Sequence, residues 1–146
     1  MKVLPPTLSL ICLILIVVSH WAFPIQIIFP TPFNLVGLAP LVLGVFISVS
    51  ANRQFAKAGT NVNTFNEPDT LVTDGWFSHS RNPMYLGFVI ALAGIWILLG
   101  SMSPILGVLI FTIVTDRWYI AYEEQKMAAK FGQAYQDYKR RVRRWV

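Results

Sequence analysis

Apolar positions in this chain come in long unbroken runs, not in the alternating or three-and-four spacing of a soluble domain. From Val3 to Asn52 there are fifty residues without a Lys, Arg, Asp or Glu, and from Asn82 to Thr115 another thirty-four. The first run divides at Phe29-Pro30-Thr31-Pro32, where neither proline can donate to a continuing helix. Membrane spans are predicted at 7–28 and 33–51. Trp21 and Phe23 suit the interface at the far end of the first. The second run would be about 50 Å long as one helix, and Gly100-Ser101-Met102-Ser103-Pro104 interrupts it. It reads as a helical hairpin with spans at 83–99 and 104–121, the second arm carrying on past Thr115 into charged sequence.

The polar pattern fills in the rest. Residues 53–81 hold Gly59, Asn61, Asn63, Asn66, Pro68 and Gly75, with three basic and three acidic side chains. That segment is too irregular for a long helix and too short for a domain, so a structured, functional loop is predicted. Residues 122–146 read as a helix: Tyr122, Lys126, Ala129 and Gln133 keep helical spacing, and Glu123, Glu124, Lys126 and Lys130 offer partners three and four apart. Gly132 is a point of interruption. Phe131, Tyr135 and Tyr138 form one aromatic face, suited to packing on the membrane or the loop. The fold class is thus an all-α integral membrane protein, one domain over 1–146. It has about four transmembrane helices (the last two a hairpin), a structured cytoplasmic loop and a C-terminal cytoplasmic helix.

Composition agrees. With 55% hydrophobic residues and a mean hydropathy of +0.54, 146 residues would expose far too much apolar surface in water. Met1-Lys2 before an apolar run superficially resembles a signal peptide, but the run is too long and lacks a small-residue cleavage site, so a retained span is expected. Four spans put Lys2, Arg53–Arg81 and Asp116–Val146 on one side. The opposite turns, 29–32 and 100–104, hold no charge, which makes the charged side cytoplasmic. The short multi-pass chain suits a prokaryotic plasma membrane. The net charge of +5 is concentrated in Lys139, Arg140, Arg141, Arg143 and Arg144 beside Trp145. Membrane lipids with anionic headgroups are the partner expected for that run. No nucleic-acid recognition motif accompanies it, so nucleic acid is not expected as a partner. Cys12 sits alone in an apolar run, and His20 and His79 are isolated, so neither a disulfide framework nor a metal site is predicted.

Two clusters could do chemistry. Pro83 suits the first turn of a helix, which places Arg81 and Asn82 at that helix's start on the cytoplasmic rim. An arginine beside a helix N-terminus favours an anionic group such as a carboxylate. Tyr85 lies one turn further in, and Gly87 permits close approach to the backbone. The plainer reading is a membrane-helix cap with Arg81 snorkelling and Tyr85 in an aromatic belt. In the second cluster Asp116, Tyr119 and Glu123 share a face at i, i+3 and i+7, with Arg117 and Glu124 on the adjacent one. Acidic groups this close to the apolar run need partners or a bound cation. Glu123 or Glu124 could hold ribose hydroxyls or an ammonium group; a solvated surface pair is the plainer reading.

The ordered set Leu71-Val72-Thr73-Asp74-Gly75-Trp76-Phe77, Ser80-Arg81-Asn82-Pro83-Met84-Tyr85-Leu86-Gly87, Glu123-Glu124, Phe131-Gly132-x-x-Tyr135-x-x-Tyr138 and Val142 resembles the isoprenylcysteine carboxyl methyltransferases. These belong to a wider group of small membrane methyltransferases that includes phospholipid N-methyltransferases. Ala58-Gly59-Thr60-Asn61-Val62-Asn63 extends the resemblance upstream. It implies S-adenosylmethionine as cofactor and methyl transfer at the membrane surface to a lipophilic small molecule or lipidated substrate. Carried over, Thr70, Leu71, Val72 and Phe77 would line the cofactor from the loop. Arg81, Asn82, Pro83, Met84 and Tyr85 would meet it from the helix start, and Glu123 and Glu124 from the last helix. The sequence departs from the family at two places. Asn82 stands where many members have histidine, so a titrating role there is not expected. Tyr119 stands where the isoprenylcysteine enzymes tend to place a substrate-side arginine, which leaves Arg117 as the nearest basic residue to orient the acceptor. Arg117 and Tyr119 are therefore the candidate catalytic pair. The alternatives are a small four-helix transporter or a noncatalytic membrane scaffold. A transporter usually needs a charged residue inside a span, and Val3–Asn52 offers none.

Overall fold

The computed structural model describes residues 3–59 and 69–146; Lys2 and residues 60–63 of the Ala58–Asn63 segment lie outside them. Helix α1, Pro5–Ala22, opens on Pro5 and Pro6, whose missing N–H groups cost nothing in a first turn. It ends six residues before the predicted span does. Pro24 disfavours helical geometry at Phe23, and Phe23 leaves the helical region (φ −142°, ψ 65°). The chain beyond is extended and pairs with the hairpin turn: Ile27 bridges Ser101, and Ile28 and Phe29 donate to the Gly100 carbonyl.

A 3-10 turn, Phe33–Gly37, leads straight into α2, Leu38–Lys57. Helix α3, Pro83–Leu99, is closed by Gly100 at φ 81°, a left-handed position that glycine adopts without strain. Helix α4, Ile105–Val114, passes through a π-helical turn, Thr115–Ile120, into α5, Ala121–Arg141. Three helical segments, Pro5–Ala22, Phe33–Lys57 and Ile105–Arg141, are long and apolar enough to cross a membrane. The shorter α3 is packed among them. The chain is an all-α integral membrane protein.

Large apolar side chains such as Leu10, Ile14, Val42, Phe46, Leu109 and Ile113 point outward, as a lipid-facing surface requires. Lipid tails are as apolar as leucine, so helices in a bilayer associate through close packing. The α2–α3 seam does this with small residues. Gly37, Gly44 and Ser48 face Gly94, Ala91 and Gly87, and a Cβ on Gly44 would fall on the Gly87 carbonyl and the Ala91 backbone. What approaches the Gly87 backbone is therefore α2. On the other side of α3, Cys12 and Ile16 of α1 pack with Leu92, Val108 and Phe111. The end without Lys, Arg, Asp or Glu is tied by hydrogen bonds: His20 Nδ1 with Ser101 Oγ at 2.7 Å, Trp96 Nε1 to the Ser101 carbonyl at 2.9 Å and Asn34 Nδ2 to the Leu98 carbonyl at 2.7 Å.

Candidate functional site

At the charged end, the loop is anchored to α2 before it reaches α3. Gln54 donates to the Asp74 carbonyl at 2.8 Å and accepts from the Trp76 amide at 3.1 Å. This holds the short turn Gly75–Ser78 so that Val72 and Phe77 pack on Ala51 with Phe55, Trp76 and Met84 around them. The segment Ser80–Asn82 then delivers the chain into Pro83, the first residue of α3.

Helix α5 bends at Gly132 (φ 50°, ψ −123°). The bend turns Tyr135 and Tyr138 inward against Val142, with Leu71 and Phe131 packed beside them. The Tyr138 hydroxyl donates to the Phe77 carbonyl at 2.6 Å. Burial, and after it the neighbouring Tyr135, pushes the Tyr138 phenol well above its ordinary range. The last turn ends at Arg141, not at the chain's final residue. Val142 is extended, and Arg143, Arg144 and Trp145 fold back.

These elements enclose one cavity of about 580 Å³, a size typical of small-molecule and cofactor sites. Its polar end is formed by Arg81, Asn82, Tyr85, Glu123, Glu124, Tyr135 and Tyr138. Its apolar walls come from Leu4, Pro5 and Pro6 at the start of α1, Gly44, Val45 and Val49 on α2, and Gly87, Phe88 and Ala91 on α3. The cavity thus runs from charged groups at the helix ends into the apolar body of the bundle.

Glu123 and Glu124 have different surroundings. The Tyr85 hydroxyl donates to Glu123 Oε1 at 2.6 Å across 38 residues of sequence. Glu124 is the hub of an ionic cluster. Arg81 Nη2 lies 3.0 Å from it, Arg144 grips both its oxygens at 3.1 and 2.7 Å, and Lys139 is at 3.5 Å. Burial alone would raise the Glu124 pKa; the Arg144 hydrogen bonds and the charges of Arg81, Arg144 and Lys139 outweigh it and hold the carboxyl below its ordinary range. The same pairing, with Glu124 first and Asp116 second, raises Arg144 against its own desolvation. Arg81 is 8% exposed, and its Nε is buried with no hydrogen-bond partner.

The residues read from the sequence separate into two groups. Val72, Phe77, Arg81, Asn82, Pro83, Met84, Tyr85, Glu123 and Glu124 all line the cavity. Thr70 and Leu71 do not; Thr70 is exposed and Leu71 packs in the Tyr135 cluster. Arg117 and Tyr119 do not line it either. Arg117, which the resemblance suggested as the acceptor-orienting group, is 80% exposed, 3.7 Å from Asp116 and outside the cavity lining. The Tyr119 hydroxyl donates to the Val3 carbonyl at 2.7 Å, and its ring lies 6.5 Å from that of Tyr85. The π-helical turn explains the discrepancy. A π turn adds one residue to the helical repeat, so Asp116 aligns with Glu124 at i+8, where Arg144 bridges the two, and not with Glu123 at i+7.

In the basic tail Lys139, Arg140, Arg141 and Arg143 are exposed. Arg144 and Trp145 turn into the protein, Trp145 Nε1 donating to Asp116 at 2.9 Å. Sequence reasoning did not find Ser48, Asn52, Phe55, Lys126 or Met127 as lining residues. The spacing of Phe131, Tyr135 and Tyr138 did mark an aromatic face, and two of its members reach the cavity.

Residues 33–134 match the phospholipid methyltransferase family. The chain belongs to that family. Curated relatives include the protein-S-isoprenylcysteine O-methyltransferase of Schizosaccharomyces pombe, 30% identical over 83% of this chain and 52% of its own length. The protein-S-isoprenylcysteine O-methyltransferase B of Arabidopsis thaliana is 31% identical over 73% of this chain and 55% of its own. The chain spans about half the length of these two curated relatives. An uncharacterized protein of Haemophilus influenzae is 41% identical over 43% of this chain, across its whole length. No solved structure matches. The stretch matched to the phospholipid methyltransferase family holds most of the cavity wall, including Tyr85 and Glu123, and stops one residue short of Tyr135.

Proposed function

We propose that this chain is an S-adenosylmethionine-dependent methyltransferase acting on a lipophilic acceptor, prenylcysteine carboxylate-like or phospholipid-like, at the cytoplasmic face of a prokaryotic plasma membrane. The observation that carries the reading is a cavity that joins an ionic end to an apolar interior. When bound, the cofactor supplies an electrophilic methyl group on a cationic sulfur.

The residues present fit such a group. Glu123, held by Tyr85, puts a fixed negative charge in the cavity beside the helix start. Arg81 places a guanidinium-bearing side chain in the wall of the polar end, and Asn82 makes no cap bond at the start of α3. The first-turn amides of a helix lack intrahelical acceptors and favour an anion such as a carboxylate. Methyl displacement needs in-line positioning and exclusion of water more than acid–base groups. The walls at Val45, Val49, Phe88 and Ala91 keep water from the reacting end and suit an acceptor that arrives from the bilayer.

Titrating S-adenosylhomocysteine into purified protein, followed by heat, tests the reading. Saturable binding is the expected result, and Glu123→Gln should weaken it roughly tenfold. No binding at millimolar ligand would return the protein to the transporter or scaffold readings. Incubating methyl-labelled cofactor with lipid extracts would then identify the acceptor.

A further inference from the structure

The strap Val142–Val146 lines no part of the cavity, yet it holds three of the pieces that do. Its main chain takes the start of α3. The Arg143 carbonyl accepts from the Arg81 amide at 3.0 Å, and the Arg144 carbonyl accepts from Asn82 Nδ2 at 3.0 Å and Ser80 Oγ at 3.4 Å. The Arg144 side chain takes the other wall. Nε and Nη2 hold the two oxygens of Glu124, and Nη1 reaches Asp116 at 3.1 Å. Trp145 locks the same Asp116 oxygen.

The geometry points to Arg144 as a positioning residue for the cofactor end of the cavity, acting through Arg81, Asn82 and Glu124 without touching a ligand. The inference rests on the methyltransferase reading. Two local consequences support it. An asparagine at the residue before a helix ordinarily accepts from the second or third amide of the first turn. Asn82 instead spends its side-chain amide on the strap and makes no cap bond, so the strap leaves the first turn of α3 open. Second, Arg81 Nη2 and Arg144 Nε share Glu124 Oε1. With Arg144 in place the Glu124 carboxylate cannot swing, and Arg81, which lines the cavity, is fixed by it. A guanidinium fork can serve Glu124 and Asp116 together; a lysine, with one nitrogen, cannot hold that spread.

The test compares S-adenosylhomocysteine affinity and ligand-free thermal midpoint in the parent, Arg144→Ala, Arg144→Lys, Arg140→Ala and Gly107→Ala. Gly107 packs on Ile16 away from the cavity, so its substitution lowers the midpoint without addressing the site. Arg144→Ala should weaken binding about tenfold or more, and Arg144→Lys by an intermediate factor. Arg140→Ala and Gly107→Ala should stay within about twofold of the parent. If Arg144→Ala does not fold, Arg144→Lys decides, and parent-like affinity there overturns the assignment. Affinity in Gly107→Ala that falls in step with its midpoint would also overturn it, because the Arg144 effect would then be general loosening. A parent that does not bind at all refutes the methyltransferase reading instead.

Discussion

Helix α3 is held along its body and at its start by opposite means. Along the body, Gly87, Ala91 and Gly94 meet Gly44 and Gly37 with backbone against backbone and no charge near. At the start, Arg81 and Asn82 are fixed by Glu124, Arg143 and Arg144, with three cations around one carboxylate. The first device depends on volume and is indifferent to pH. The second depends on charge and hydrogen-bond direction and tolerates changes in bulk at its exposed rim. The cavity lies across the join, so its apolar half inherits the rigidity of the seam and its polar half the titration of the cluster.

The largest effect should come from the seam. Gly44→Val would place branched carbons on the Gly87 and Ala91 backbone, which cannot yield as a side chain can. A loss of about 3 kcal/mol or more is expected, seen as a collapse of monodisperse yield and thermal midpoint. A normal midpoint would show that α2 and α3 do not pack this closely. Next is Tyr138→Phe, which leaves the Phe77 carbonyl without its 2.6 Å donor. About 1–3 kcal/mol of destabilisation is expected, and an unchanged melt would mean that the aromatic face merely rests on the loop.

The cluster has a pH signature that the seam lacks. The Glu124 carboxyl sits below its ordinary value of 4.5 when folded. Its contribution is therefore complete above pH about 4.5 and disappears as pH falls through the lower folded value. Thermal midpoints of the parent should drop on acidification through that window, and those of Glu124→Gln should be flatter there. Parallel curves would remove Glu124 as a source of acid lability. The smallest effect belongs to Arg117→Ala. With an 80% exposed side chain and a 3.7 Å contact, it should change stability by less than about 0.5 kcal/mol and leave S-adenosylhomocysteine affinity unchanged. A clear loss of affinity would show that Arg117 reaches the site after all.

The distribution of charge was enough to read the helices and to bring Asn82–Tyr85 and Glu123 to one rim, and the 2.6 Å contact between Tyr85 and Glu123 realises that convergence. Pro24 also carried the information that α1 stops early, although hydropathy alone overrode it. Other features were not legible. A π turn has no composition of its own, so regular 3.6-residue spacing assigned Asp116 to the face of Glu123, while Arg117 was named from the resemblance as the basic residue nearest Tyr119. The fold-back of Arg144 and Trp145 depends on partners 28 and 29 residues away, and a basic run beside a tryptophan looks the same whether it meets lipid or protein. Thr70 and Leu71 were carried over by resemblance, with no local signal to say which side of the loop faces inward.

The position of Arg144 also sets an order of biogenesis. Helices α1–α4 precede it in the chain, so they can be inserted and the glycine seam can close while Arg81 and Glu124 still lack their third partner. The polar end is finished only when the strap has left the ribosome and swung back over a hairpin already in the bilayer. A nascent chain stalled before Arg144 would then hold its closed seam with Arg81 and Glu124 still missing that partner.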